Sequence, residues 1–375
     1  MKIGIDAQTL IKRSAGVTYY TQGLLEEIFK QDKKNRYDLM FFGRKPEHML
    51  GKGSSFTYKY QRFFPYKFFR YATYAGLGVP LLPLEAFFGR HDIYFFPDFV
   101  EYPHWTGKSV VVIHDLSFLK VPQYVAKFNE IFLRRFVSVS AKRADHLIAN
   151  SEYTKQDIVN TYKISEDRVT VAYPGVDRKK FKPASKPQIE KVKEKYGLEK
   201  PFILYLGTLE PRKNIVSILK AYANLESRGD FNLVLAGKKG WMYNEIFRQV
   251  EDLGIEEDVI FTGFVPDEDK PVLLSAAEVF VYPSFFEGFG MPVVEAQACG
   301  TPVVTSNTTS LPEAAGGAAL LVDPHQVDGL KGAVERLLSA AELRENLSAK
   351  GLENAKRFRW DESAGKVLNV FNSLL

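Results

Sequence analysis

The chain has 375 residues, 45% hydrophobic and 25% charged, with 50 Lys and Arg against 45 Asp and Glu. That length exceeds one compact core and suits two domains. A single cysteine, Cys299, excludes an intramolecular disulfide, and no apolar run is long enough to span a membrane; MKIGID reads as a strand and not a signal peptide, so a cytoplasmic location is expected.

The charge is uneven. Residues 1–180 hold 28 Lys and Arg against 18 Asp and Glu, and the remainder is net acidic. The first half is therefore the part suited to an anionic surface, although solvated lysines with no partner have the same composition.

Short β-branched apolar runs alternate with helical patterns, which predicts βαβ units and parallel sheets. The first series of strands is expected at Lys2 to Ile5, Tyr37 to Phe42, Asp92 to Phe96, Ser109 to Ile113, His146 to Ala149 and Arg168 to Ala172. A second series is expected at Phe202 to Gly207, Asn232 to Ala236, Val259 to Thr262, Val279 to Tyr282, Thr301 to Thr305 and Ala318 to Val322. Between them YPGVDRKKFKPASKPQ carries no periodicity and reads as a linker. The helix from Trp360 to Leu375 is amphipathic. The stretch from Phe56 to Trp105 interleaves aromatic residues with Lys and Arg, as in YKYQRFFPYKFFRY. This is the composition of a helix or loop at a membrane interface, or of a core helix with surface lysines; nucleic-acid binding is not expected.

Doubly wound domains place their functional loops at the carboxyl ends of strands, and the candidate residues sit there. Gly16, between the first strand and the first long helix, would let backbone approach a pyrophosphate, or mark a flexible loop. His114 ends an apolar strand, and Asp115 suits the cap of the next turn. Arg212 and Lys213 in YLGTLEPRKN open a helix after a strand, where cations neutralise a phosphate or are simply solvated. Asp267, Glu268 and Asp269 match a metal pattern by letter, but after Pro266 they suit a helix start, and no catalytic metal is expected.

The most informative segment is VYPSFFEGFGMPVVEAQACGTPVV. A strand ends at Tyr282, Gly288 and Gly290 permit a tight turn, and Pro292 suits the first turn of a helix that Gly300 ends. Backbone N–H groups from Phe289 to Val293 would bind an anion, and Glu287 and Glu295 would accept hydrogen bonds from sugar hydroxyls. Cys299 reads as a packed helix residue.

This segment, with its two glutamates separated by seven residues, resembles the signature of retaining glycosyltransferases of family four. AGVTYY, VVVIHDLSF, ANSEYTKQDI, YPGVD, YLGTLEPRKN, LAGKKGW and GFVPDEDK extend the resemblance over nearly the whole chain. It implies a GT-B fold, α/β, with two Rossmann-like doubly wound domains facing across a cleft. Residues 1–178 would bind acceptor, with a helix at 358–375 packing back on them, and residues 179–357 would bind the nucleotide sugar.

By the resemblance Glu287 contacts the donor sugar, Glu295 holds the ribose hydroxyls, and amides of Phe289, Gly290 and Met291 bind sugar and diphosphate. His114 contacts the donor sugar, and the Gly16 loop closes on donor phosphate and acceptor. The backbone of Gly263, Phe264 and Val265 reads the base. Many members carry Arg where this chain has Thr208, so Arg212 beside the matching Lys213 is expected to supply that charge.

No cofactor or metal is implied. HDLSF with GTLEPRKN resembles the mannosyltransferase branch of bacterial surface-polysaccharide assembly, so the expected donor is GDP-mannose, with UDP-sugars as the alternative. The acceptor would be a saccharide or lipid-linked saccharide, with peripheral contact to an anionic membrane through residues 56–105. A nucleotide-sugar epimerase and a non-catalytic sugar-nucleotide-binding protein remain the competing classes.

Overall fold

The computed structural model describes residues 1–11, 16–43, 50, 56–62 and 83–375. They form two compact units, one of Met1–Pro122, Lys127–Gly175 and Trp360–Leu375, the other of Gln123–Ala126 and Val176–Arg359. The division falls at Gly175 and Arg359, not at 178 and 357, because the Val176 N–H bonds the Phe358 carbonyl within the second unit. The Gln123–Ala126 segment also departs from the expected boundary. Within the second unit the Tyr124 ring stacks on Phe285 at 5.1 Å, and its carbonyl accepts from Trp241 Nε1 at 2.9 Å.

The first unit holds a parallel sheet of seven strands: β1 (Lys2–Asp6), β2 (Arg36–Phe42), β3 (Phe56–Gln61), β4 (Ile93–Phe96), β5 (Lys108–Ile113), β6 (His146–Ala149) and β7 (Val169–Val171). Their order is β3-β2-β1-β4-β5-β6-β7, so the winding reverses between β1 and β4. Buried β-branched runs such as Val110 to Ile113 are what a strand covered on both faces requires. The core gathers Ile3, Ile5, Phe41, Phe95, Val110 and Val112 against Leu24, Ile28 and Phe371.

β3 corrects an expectation. Phe56 to Gln61 is neither a helix nor an interfacial loop; it is an edge strand with alternating burial. Phe56 stacks on Phe29 at 4.5 Å, and Tyr58 and Tyr60 stack on Phe41, while Thr57 and Lys59 face outward. Aromatic–polar alternation with a period of two is the pattern of a half-buried strand. Residues 63–82 of that stretch lie outside the described residues.

The second unit has a six-stranded parallel sheet: β8 (Phe202–Leu206), β9 (Asn232–Ala236), β10 (Val259–Gly263), β11 (Val279–Tyr282), β12 (Val303–Ser306) and β13 (Leu320–Val322). The order β10-β9-β8-β11-β12-β13 puts the reversal between β8 and β11. Loops leaving those two strands diverge at such a point and leave a ligand crevice at the carboxyl edge of the sheet. Among the described residues no helix is long and apolar enough to cross a membrane.

Candidate active site

The β8 and β11 loops carry the central charges of the second unit. After β8 the chain turns through Pro211–Lys213, and Asn214 adopts φ +59° before the helix Ile215–Ala223. The buried Asn214 Nδ2 donates to the carbonyls of Pro283 (3.1 Å) and Pro324 (2.7 Å), fixing this turn to the β11 loop. The Phe285 N–H donates to the Arg212 carbonyl at 3.0 Å, a second tie between the same loops.

Glu287, Lys213 and Arg212 meet there. Lys213 Nζ donates to Glu287 Oε1 at 2.5 Å and to Tyr282 Oη at 2.7 Å, and Tyr282 Oη donates to the same carboxylate at 3.1 Å. Arg212 reaches Glu287 Oε2 at 3.2 Å, the Phe286 carbonyl at 2.5 Å and Glu210 Oε1 at 2.8 Å. Glu210, Lys213 and Glu287 are all buried. The result is two cations matched by two carboxylates in a low-dielectric setting, where breaking one pair strands a charge.

The environment splits these groups. Burial pushes the Glu287 carboxyl up, but the Lys213 and Arg212 charges outweigh it and hold the group down at about 2. Burial pushes Glu210 up, with Arg212 and Lys213 opposing. Lys213 is driven down by burial and by Arg212, and the two carboxylates oppose that shift.

Gly290 begins the helix Met291–Ala298 at φ +102°, and a Cβ there would lie 2.6 Å from Leu311, so only glycine fits this turn. One expected anion donor is lost: the Val293 N–H closes the first turn on the Gly290 carbonyl at 3.0 Å. Phe289 is buried with its ring 5.1 Å from Phe358, so its side chain is core. Glu295, half-buried on the same helix, is pushed up by burial and opposed by Lys270 and Lys180.

Thr208 is half-buried; its carbonyl accepts from Tyr205 Oη at 2.9 Å and its methyl group backs onto Gly240. Gly263 ends β10 at φ +67°, and its carbonyl is taken by the Gly237 N–H at 2.9 Å. Phe264 is 64% exposed and Val265 is core. The acidic run is held by lysines: Asp267 accepts from Lys270 at 2.7 Å, and Asp269 from Lys195 and from Tyr196.

The remaining two candidates belong to the first unit. His114 directly follows β5, buried, with Nε2 donating to the Pro97 carbonyl at 2.8 Å and its ring edge-on to Tyr20 at 5.1 Å. Burial holds its pKa down, so the ring is neutral and its remaining nitrogen is an acceptor. Asp115 Oδ1 accepts the Ser117 N–H at 2.8 Å, the turn-capping role. Gly16 opens the helix Gly16–Gln31, and a Cβ there would meet nothing within 4 Å. Ser14 and Ala15 lie outside the described residues.

Three participants were not foreseen: Glu210, Asn214 and Tyr282. Glu210 and Asn214 lie inside YLGTLEPRKN, and Tyr282 read as a strand residue. The available signal was an acid two residues before Arg212, since a buried guanidinium needs a counter-charge.

Two doubly wound α/β units are the architecture of the GT-B fold, and the family models that match them make the chain a glycosyltransferase. Residues 188–354 match the model for glycosyl transferases group 1, and residues 34–180 the model for glycosyltransferase family 4. The chain belongs to glycosyltransferase family four.

It is 36% identical over 285 residues to O-antigen chain mannosyltransferase B of Escherichia coli, covering 75% of this chain and 74% of that protein. It is 33% identical over 276 residues to the serotype-specific mannosyltransferase WbdA of Escherichia coli, covering 72% of this chain but only 34% of that longer protein. Among solved structures, Anabaena HepE in complex with UDP and glucose superposes with a TM-score of 0.75 over the full length of both chains at 20% identity, a likeness of fold.

Proposed function

We propose that the enzyme transfers a mannosyl residue from GDP-mannose, with retention, to a saccharide or lipid-linked saccharide in surface-polysaccharide synthesis, without a metal ion. The observation that carries the reading is the buried Arg212–Lys213–Glu287 cluster at the second switch point. The similarity to an O-antigen mannosyltransferase supports the sugar and the pathway class.

The chemistry follows from charge. Breaking the bond from anomeric carbon to phosphate leaves negative charge on the diphosphate and positive charge on the sugar. Arg212 and Lys213, already desolvated, are the countercharge for the leaving diphosphate, and Met291 at the helix start adds a backbone N–H. Glu287, kept anionic by the same cations, accepts from a sugar hydroxyl, and Glu295 accepts from the ribose. Neutral His114 acts as an acceptor toward the sugar. The acceptor hydroxyl attacks from the face that the diphosphate leaves, and its proton passes to the departing phosphate.

Lys213→Ala is expected to lower kcat about a hundredfold, near 3 kcal/mol, as for loss of one preorganised donor. The assay is transfer of labelled mannose from GDP-mannose into membrane extract; wild-type turnover in the variant removes Lys213 from the mechanism. Turnover should survive a chelator, and loss restored by magnesium defeats the metal-free reading. In a thermal-shift panel GDP-mannose should stabilise most, and a larger shift with a UDP-sugar would reassign the donor.

A further inference from the structure

Strands β4 and β5 are parallel neighbours, yet the chain that joins them, residues 97–107, forms neither helix nor strand. It leaves the carboxyl edge of the sheet through a tight turn. The Val100 N–H donates to the Asp98 carbonyl at 2.6 Å, with Phe99 between them at φ +60°. A three-residue turn at positive φ is the rare, strained form, and a bulky residue at its centre adds to the strain. Such strain persists only where the surroundings over-determine it, and it clusters at functional sites.

Two features of this turn meet His114. The Pro97 carbonyl accepts from its Nε2 at 2.8 Å, and the Phe99 ring lies edge-on to it at 5.2 Å, as Tyr20 does at 5.1 Å. The Phe99 N–H donates to the Val112 carbonyl at 2.9 Å, tying the turn to β5 just before His114. A carbonyl on Nε2 fixes one tautomer of a neutral ring and leaves Nδ1 as the acceptor.

The chain is pinned directly after the turn. The Glu101 N–H donates to Ser140 Oγ of the helix Lys127–Arg143 at 2.9 Å, and Glu101 is buried. His104 Nε2 lies 3.0 Å from Glu101 Oε1, and its Nδ1 lies 3.0 Å from the Thr106 carbonyl. Both partners are acceptors, so the ring satisfies both only with a proton on each nitrogen. Tyr94 of β4 stacks on the ring at 4.8 Å. Arg143 lies 3.9 Å from the same Glu101 oxygen, and Glu85 accepts the Thr106 N–H at 2.8 Å. Burial pushes the His104 ring down, but Glu101, Thr106 and Glu85 outweigh it and raise the pKa above the ordinary 6.5. The hold of this pair is therefore complete below the ordinary value and is lost as pH rises through the raised one.

We propose that Phe99 and His104 are positioning residues for His114: the strained turn sets the orientation and tautomer of the imidazole, and the Glu101–His104 pair pins that turn. The catalytic consequence rests on the proposed role of His114 toward the sugar; the geometric one does not.

The test is long-range proton–nitrogen NMR of the full chain without donor, its six histidines assigned by single His→Gln variants. At neutral pH His104 is expected to carry a proton on both nitrogens and His114 on Nε2 alone. Raising the pH through the His104 titration should bring mixed His114 tautomers in step, and His104→Gln or Phe99→Ala should produce them at neutral pH. In the transfer assay His104→Gln should lower kcat about tenfold to a hundredfold with donor KM little changed, since a small misplacement acts on the transition state. The alkaline fall of kcat should vanish in that variant. A neutral His104 at neutral pH, or a single His114 tautomer unmoved by the titration and by both variants, overturns the proposal. So does an alkaline limb of kcat that His104→Gln leaves in place. The wild-type titration needs no substitution, so a variant that fails to fold does not decide the matter. The spectra are read without donor, so failure of the donor panel leaves them standing, and failure here leaves the donor assignment untouched.

Discussion

Glu287 is held by Lys213 and Arg212 on opposite oxygens, and Tyr282 closes the triangle. The contacts give stability a pH dependence whose sign is fixed. The carboxyl sits at about 2 in the folded chain against an ordinary value of 4.5, so the folded state holds less proton between those values. Its contribution is complete above about pH 4.5 and is lost as pH falls toward about 2. Lys213 is pushed down by burial and Arg212, an opposing cost, so the pair nets less than the carboxyl shift of about 3 kcal/mol alone implies. Glu287→Gln should therefore flatten the acid limb of a melting-temperature profile; an unchanged limb would show that other carboxylates dominate. Glu287, Lys213 and Arg212 were legible because charged residues at strand ends in glycine-rich turns have few structural uses. Tyr282 was not, because its strand pattern matches that of a core aromatic, and only the fold reveals that its hydroxyl emerges between an ammonium and a carboxylate.

At the scale of elements, buried parallel strands were the most legible, since continuous β-branched runs have no competing reading over four or five residues. Edge strand β3 was obscured because Lys59 among its aromatics, with Arg62 just after it, reads as an interfacial pattern. The helix Trp360–Ser373 lies on the first unit, and its docking turns on glycines that carry no periodic signal. Trp360 meets Tyr20 edge-on at 5.7 Å, and Gln31 Nε2 donates to the Asp361 carbonyl at 2.8 Å. A Cβ at Gly23 would come within 2.5 Å of the Trp360 indole, a rigid neighbour with no room to swing aside. Gly23→Ala should destabilise the chain by about 1–3 kcal/mol, the range for overpacking a filled contact. Denaturant titration measures it. A variant as stable as wild type would mean that the last helix can shift along the first without loss.

On the scale of the whole molecule, two sheets of the same winding place their reversals at β1/β4 and β8/β11, yet the buried Arg–Lys–Glu cluster belongs to the second. The sequence carries the same asymmetry, with a basic first half and an acidic second. The proposed function therefore has an anionic nucleotide bind within the net-acidic half through local cations and not through the overall field, which acts over long range and is screened by salt. Hydrogen exchange can distinguish the two. At a nucleoside diphosphate concentration about a hundredfold above Kd, the second unit gains near 2.7 kcal/mol, so amides that exchange only through its opening should slow by up to about a hundredfold. Protection is expected in segments 207–214 and 283–298, with strands β1 and β2 of the first unit unchanged. The effect should persist in moderate salt, because a buried pair is screened far less than an exposed one. Protection confined to the first unit, or lost at modest ionic strength, would place the nucleotide on the basic surface and remove the charged cluster from donor recognition.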